Sequence, residues 1–277
     1  MLKIGEIQQM SILRETGSGL FLGNEEGDDV LLPFKYAPPG FEIDDVIDAF
    51  IYTDDQNRPI ATTKTPLLTV GKFGYLKVSS VVAIGAFMDI GVDKDLLIPF
   101  REQAKRMIAG RNYVIHMFID KVSGRMVGSA LINKFVKPVV SGLKTGDEVE
   151  ILIYEKTELG YNAIVNQQFR GLLYHSEIFE PMPIGFSRNA FVKQIRPDNR
   201  IDLLLRKPGH EHIDESAEDL LEAIKYYKGF LPLHDKSTPE EISKVMGMSK
   251  KTFKKAVGSL YKARLITLKE DGIHLVE

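Results

Sequence analysis

Ile84-Gly85-Ala86-Phe87-Met88-Asp89-Ile90-Gly91 is the stretch that decides the fold of this chain. Residues 76–84, which lead into this stretch, are rich in β-branched residues and predict a strand. Gly85 marks a bend or bulge at its end. Further strands are predicted at 96–98, 113–119 and 125–131, with a helical turn or short helix over residues 101–110. Five short strands with one helical insertion in about 60 residues are typical of an OB-type barrel.

The same region resembles the S1-type RNA-binding repeat of ribosomal proteins and nucleases. The resemblance rests on residues 85–90 and on Asp120, Gly124, Arg125 and Ser129 at matching spacing. The sequence departs from the repeat beside the third strand, where the repeat often has a His and this chain reads Ile98-Pro99-Phe100. The resemblance implies RNA as the ligand, with Phe87 contacting a base because of its position in the repeat. Arg125 is expected to contact a phosphate because it carries a charge on an exposed turn.

Two further copies of this repeat are predicted, one on each side. In the first, Val30-Leu31-Leu32-Pro33 parallels Leu96-Leu97-Ile98-Pro99. In the last, residues 170–177 resemble the Gly-Leu-Val-His-x-Ser-Glu segment of the S1 repeat. Internal repetition of this kind indicates tandem modules. We therefore expect S1-like OB barrels at 1–66, 67–138 and 139–207.

The net charge of the whole chain is only −2, but the individual copies differ strongly in charge. Residues 1–66 contain 5 Lys and Arg against 12 Asp and Glu, whereas residues 67–137 contain 11 against 5. A phosphate backbone would favour the second copy and avoid the first. The first, divergent copy is therefore interpreted as a structural or protein-binding barrel. The alternative is a random scatter of surface charge.

The third copy interleaves aromatic and basic residues, a mixture that suits single-stranded RNA. Exposed rings stack bases for about 1–3 kcal/mol each, while Lys and Arg contact phosphates. Some of these rings could instead belong to the core. The candidates are Tyr161, Arg170, Tyr174, His175, Lys193, Arg196 and Arg200.

Residues 208–277 predict a winged-helix domain, an α/β module after the mostly β part of the chain. Asp214 is expected to cap its first helix, and Thr238-Pro239-Glu240-Glu241 forms the start of a second. A hairpin follows around Asp271-Gly272. The helix before it is the expected recognition helix. Its basic candidates are Lys250, Lys251, Lys254 and Lys255.

Three S1-type repeats followed by a winged helix resemble the conserved virulence factor B family of bacteria. The resemblance covers the whole chain and implies an RNA-binding protein that regulates gene expression after transcription, with no catalytic centre. A DNA-binding transcription regulator that acts through the winged helix is the alternative.

An enzyme is not expected. A nuclease would need clustered carboxylates around divalent metal ions, and Asp89, Asp93 and Asp95 are interpreted as an exposed strand edge. His210 and His212 are interpreted as linker residues, so neither metal nor cofactor is expected. The sequence has no Cys, no apolar run of membrane-spanning length and no apolar leader, which predicts a cytoplasmic protein without membrane contact.

Overall fold

A computed structural model describes residues 1–178, 182–206, 215–234 and 236–276 of the chain. Its first part consists of three closed five-stranded barrels with the same strand order, in which the third strand pairs in parallel with the fifth. This is the order 1-2-3-5-4 of the OB fold. The expectation of three OB barrels before a winged helix is confirmed.

The strands of the three barrels follow one another in chain order. Barrel 1 contains β1 Ile7–Thr16, β2 Gly19–Gly23, β3 Asp29–Pro33, β4 Val46–Thr53 and β5 Pro59–Thr62. Barrel 2 contains β6 Phe73–Val82, β7 Gly85–Met88, β8 Leu96–Pro99, β9 Asn112–Ile119 and β10 Met126–Ser129. Barrel 3 contains β11 Glu148–Lys156, β12 Gly160–Val165, β13 Phe169–Tyr174, β14 Ser187–Ile195 and β15 Ile201–Leu204.

A glycine begins the second strand of every barrel because the third strand passes too close for a side chain. A Cβ atom on Gly85 would lie 2.3 Å from the carbonyl oxygen of Ile98. The equivalent distances are 2.2 Å at Gly19 and 2.0 Å at Gly160. The three glycines therefore fix a common register, and equivalent positions can be counted from them.

Barrels 1 and 2 share buried apolar residues. Phe50 and Tyr52 of barrel 1 belong to the same buried cluster as Leu76 and Met88 of barrel 2. At the edge of this contact, the Asp93 carboxylate accepts hydrogen bonds from Lys35, Tyr36 and Lys64 of barrel 1. These partners, Lys35 first, hold the pKa of Asp93 well below its usual range. Asp93 is therefore an inter-barrel contact.

Barrels 2 and 3 also pack directly against each other. Phe73 and Val114, on the outer face of barrel 2, form a buried cluster with Leu152 and Ile164 of barrel 3. The Gln167 side chain adds two hydrogen bonds to the backbone of Phe73, at 2.6 Å and 3.2 Å. This contact covers part of the outer face of β12.

The C-terminal domain consists of three helices and a small sheet. Its elements are α1 Glu215–Tyr226, β16 Phe230–Leu231, α2 Pro239–Met246, α3 Lys250–Lys262, β17 Ile266–Lys269 and β18 Gly272–Leu275. Thr238 and Glu241 form the expected capping box of α2, and Ser249 caps α3. The hairpin turn is Glu270-Asp271, one residue earlier than predicted, because Lys269 pairs with Gly272.

Of the helical turn or short helix predicted over residues 101–110, the structure contains a helical turn at the start of this segment and no longer helix. A single 3₁₀ turn, Phe100–Glu102, is followed by a loop. The Gln103 side chain donates to the carbonyl oxygen of Ile98 at 3.0 Å and accepts from the amide of Met107 at 3.2 Å. The Gln103 side chain thus joins the end of β8 to the loop. His210, His212 and Asp214 lie outside the described residues.

Candidate nucleic-acid interface

Barrel 2 has an open cleft of about 650 Å³ on the face of its second and third strands. Phe87 on β7 and Arg125, in the turn between β9 and β10, both line this cleft. Ile84, between β6 and β7, closes one side and is 60% exposed. OB folds use this strand face and these two connecting loops to bind oligonucleotides. The structure therefore brings two residues chosen from the sequence into one site.

Of the two aromatic rings in the cleft, one is already covered by an arginine of the same barrel. Phe100 also lines the cleft, but the Arg106 guanidinium carbon lies 3.8 Å from its ring centroid. Phe87 carries no such cation among the described residues. Sequence reasoning missed Phe100, although it directly follows the third strand, as His175 does in barrel 3.

Arg125 differs from its counterpart in barrel 1. The turns are equivalent, since Asp120 and Asp54 each donate a backbone hydrogen bond to the carbonyl of the arginine that closes the turn. In barrel 1, Arg58 lies 2.7 Å from the Asp54 carboxylate. The exposed Arg125 side chain makes no hydrogen bond or ion pair with any described residue. Its charge therefore remains available to a ligand.

Barrel 1 forms one wall of the cleft through Thr53 and Asp55. Lys94 of barrel 2 holds this wall, because its ammonium group donates to the carbonyl oxygens of Thr53 and Asp54. Burial lowers the pKa of Lys94, and the Asp55 carboxylate opposes that shift. Lys94 was not identified from the sequence, because its partners lie in another barrel.

Acidic side chains also line the cleft, and they differ in whether another residue already donates a hydrogen bond to them. Asp120 accepts a hydrogen bond from Ser123 Oγ at 2.9 Å, which lowers the pKa of Asp120. Asp95 is half-buried and lines the cleft, and its carboxylate makes no hydrogen bond or ion pair with any described residue. The cleft therefore combines basic side chains with an available acceptor.

The equivalent position in barrel 3 is Asn162, not Tyr161. Phe87 is two residues beyond Gly85 and pairs with Leu97 on the third strand. Two residues beyond Gly160 lies Asn162, which pairs with Leu172. Since side chains alternate between the faces of a strand, Tyr161 lies on the opposite face of β12 from Asn162. Counting from the glycine would have shown this.

Tyr161 and His175 nevertheless meet. Their ring centroids lie 5.4 Å apart in an edge-to-face arrangement, and Lys156 Nζ lies 5.9 Å from the Tyr161 centroid. The exposed His175 ring also makes a 3.1 Å hydrogen bond with the carbonyl of Thr157. Tyr174, which is half-buried, pairs with Gly160 at the end of β13. Tyr161 and His175 therefore form a second candidate surface, and Tyr174 directly precedes His175 in the chain.

The basic candidates of barrel 3 are either close to carboxylates or partly buried, unlike Arg125. Arg196 Nε lies 3.4 Å from the buried Asp202 carboxylate, and Arg200 Nε lies 3.5 Å from Asp198. Arg170 is half-buried, with its Nε enclosed and unpaired among the described residues. Lys193 is half-buried on β14. A role for these residues at phosphates stays a prediction.

In the winged-helix domain, α3 presents the predicted basic surface. Lys251, Lys254 and Lys255 are exposed, and Lys250 is half-buried at the first position of the helix. The opposite side of α3 packs through Phe253, Ala256, Val257 and Leu260 into the core of the domain. Burial of that side leaves the lysines on the outer side of the predicted recognition helix.

No group of three potential metal ligands comes together within the described residues. Asp89 accepts a hydrogen bond from the Gly91 amide at 2.7 Å, and Asp93 contacts barrel 1. In the part of the chain that the structure describes, no helix is long and apolar enough to cross a bilayer.

Comparison with known proteins adds family relationships to this geometry. The S1 domain family matches residues 4–64, which is the acidic first barrel, and the CvfB-like winged helix domain family matches residues 218–275. Both are nucleic-acid-binding domain families rather than enzymatic ones.

The curated relatives match almost from end to end. Conserved virulence factor B of Staphylococcus epidermidis is 24% identical and covers 99% of this chain and 95% of its own length. Its namesake from Staphylococcus saprophyticus is 25% identical with the same coverage. A solved multidomain protein with nucleic acid binding domains from Streptococcus pneumoniae is 24% identical, with a TM-score of 0.47 over 99% of this chain and 98% of its own.

Proposed function

This chain is a homologue of the conserved virulence factor B proteins over 99% of its length, and on that premise we propose that it binds single-stranded RNA. The cleft of barrel 2 is the principal site, and the basic outer side of α3 is a second contact. The observation that carries this proposal is that one open cleft contains a half-buried Phe87 ring and an exposed Arg125 guanidinium that pairs with no described residue.

The shape of the cleft supports a single strand rather than a duplex. A base can stack on Phe87 only if it is free of a complementary strand, as bases in single-stranded RNA are. Arg125 stands at the rim, where it can contact the phosphate of the same nucleotide. Each stacked base contributes about 1–3 kcal/mol, and the phosphate contact makes affinity depend on salt.

In this proposal the protein acts in the cytoplasm and affects gene expression after transcription. The acidic barrel 1 contributes a wall of the cleft. Its remaining surface is proposed to bind protein partners. We expect its own charge to add little direct contact with phosphate.

The alternative, a DNA-binding transcription regulator, is favoured by one observation, the exposed lysines of α3 in a winged-helix domain. Competition at one fixed salt concentration separates the two functions. An unstructured RNA should displace a labelled RNA at lower concentration than a duplex DNA of equal length. Tighter binding of the duplex would overturn the RNA proposal and support the alternative.

A further inference from the structure

In barrel 1, the face equivalent to the cleft of barrel 2 is already occupied by the chain itself. Arg14 on β1 pairs with Phe21 on β2, and the Arg14 guanidinium carbon lies 4.2 Å from the Phe21 ring centroid. The same guanidinium donates through Nη2 to Asp29 Oδ2 at 2.7 Å. Phe21 thus supplies a stacking surface, and Asp29 an acceptor, for a flat group with N–H donors.

Barrel 2 has the same arrangement without the arginine. Both first strands have a bulge before the residue that pairs with the stacking ring, so Ser80 opposite Phe87 corresponds to Arg14. Phe87 pairs with Leu97, as Phe21 pairs with Leu31, and each leucine follows an aspartate by two residues. The barrel 1 residues Arg14, Phe21 and Asp29 therefore correspond to Ser80, Phe87 and Asp95 in barrel 2.

Only barrel 2 leaves these positions open to a ligand. Ser80 is exposed and too short to cover Phe87, and Asp95 lines the cleft beside that ring. In barrel 3 the three equivalent positions are Glu155, Asn162 and Arg170, and Asn162 donates to Glu155 at 2.6 Å. The stacking ring and the acceptor are both missing there.

We propose that Phe87 and Asp95 form a base-selective subsite for guanine, an inference that rests on the proposed RNA-binding function. Asp95 is a diagonal neighbour of Phe87 across the strand pair, at about 7–8 Å between such positions, which suits the edge of a base stacked on the ring. Guanine presents N1–H and N2–H donors side by side, as a guanidinium does. Uracil presents one N–H between two carbonyl oxygens, and these repel a carboxylate.

Base preference tests this subsite directly. The RNA ligands are a heptamer of uridines and the same heptamer with a central guanosine or a central inosine, which lacks the N2 amino group. Fluorescence anisotropy at one salt concentration gives each dissociation constant. The full-length protein should bind the guanosine heptamer at least about fivefold more tightly than the uridine heptamer, with inosine between them.

Asp95→Asn should abolish this preference and leave affinity for the uridine heptamer unchanged or raised. The matched control is Asp89→Asn, which removes a charge from the same barrel outside the cleft and should retain the preference. An Asp95→Asn protein that still prefers guanosine by the wild-type ratio would overturn the subsite.

A second pair of variants tests the comparison between the barrels. Ser80→Arg should rebuild the barrel 1 arrangement in barrel 2 and weaken RNA binding at least about fivefold, despite the added positive charge. Ser79→Arg adds the same charge at the exposed neighbouring position and should not weaken binding. Equal affinities for the two variants would contradict the proposal, and if Ser80→Arg fails to fold, Asp95→Asn alone decides.

These outcomes separate the subsite from the broader function. If Phe87→Ala weakens RNA binding while Asp95→Asn keeps the wild-type base preference, the subsite is wrong and RNA binding through the cleft stands. If Phe87→Ala, Asp95→Asn and Ser80→Arg all bind RNA as the wild type does, the proposed function of the cleft also fails.

Discussion

His116 should make the stability of this protein fall between neutral and weakly acidic pH. Its ring lies between Phe73 and Phe135, with centroid distances of 4.5 Å and 4.3 Å, and its Nδ1 has no hydrogen-bond partner among the described residues. Burial lowers the pKa of His116 to about 4, and a hydrogen bond with the Lys72 backbone opposes that shift only partly.

The direction of the effect follows from which state binds the proton. As pH falls below about 6.5, the unfolded chain protonates this histidine, whereas the folded protein does so only near pH 4. The free energy of unfolding therefore falls across this window and changes no further below it. A shift from about 6.5 to about 4 corresponds to about 3 kcal/mol.

Urea unfolding at a series of pH values from 7.5 to 4, followed by circular dichroism, measures this change. His116→Phe keeps an aromatic ring between Phe73 and Phe135 but cannot bind a proton, so it provides the reference. The wild type should lose about 3 kcal/mol more than His116→Phe between the two ends of the series. Parallel curves for the two proteins would refute the assignment of this pH dependence to His116.

Two further substitutions test the close approach at Gly85 and the proposed RNA contact of Lys254. Gly85→Ala places a Cβ atom 2.3 Å from the Ile98 carbonyl oxygen, so it should destabilise the protein by about 1–3 kcal/mol in thermal or urea unfolding. Gly17→Ala, where a Cβ meets nothing within 4 Å, should change stability far less, and similar losses for both would count against the close approach. Lys254→Ala should reduce the slope of log affinity for single-stranded RNA against log salt by about 0.7 without lowering the melting temperature, and an unchanged slope would remove Lys254 from the RNA contacts.

The sequence predicted the architecture well because each module contains its own local signals. Alternating apolar runs, glycines and turn residues define the strands of each barrel, and Thr238 to Glu241 and Ser249 define helix starts. Phe87 and Arg125 were found in this way, because their places relative to Gly85 and the Asp120 turn are set within one barrel. Their shared cleft is a consequence of that register.

The errors and omissions arose where one segment depends on another. Tyr161 was chosen by its aromatic character, and its role at RNA stays a prediction, whereas the register counted from Gly160 makes Asn162 the residue equivalent to Phe87. Only the helical-turn form of the prediction for residues 101–110 is present, because the Gln103 side chain bonds to Ile98 on β8 and to Met107 in the loop. Lys94 contacts carbonyls in barrel 1, and such a contact leaves no periodic pattern in the sequence.

The most direct test of the central claim is a comparison of Phe87→Ala and Arg125→Ala over a salt series with one single-stranded RNA. Phe87→Ala should weaken binding by about 1–3 kcal/mol and leave the slope of log affinity against log salt nearly unchanged. Arg125→Ala should reduce that slope by about 0.7. Wild-type affinity and slope for both folded variants would show that the cleft of barrel 2 is not where this protein binds RNA.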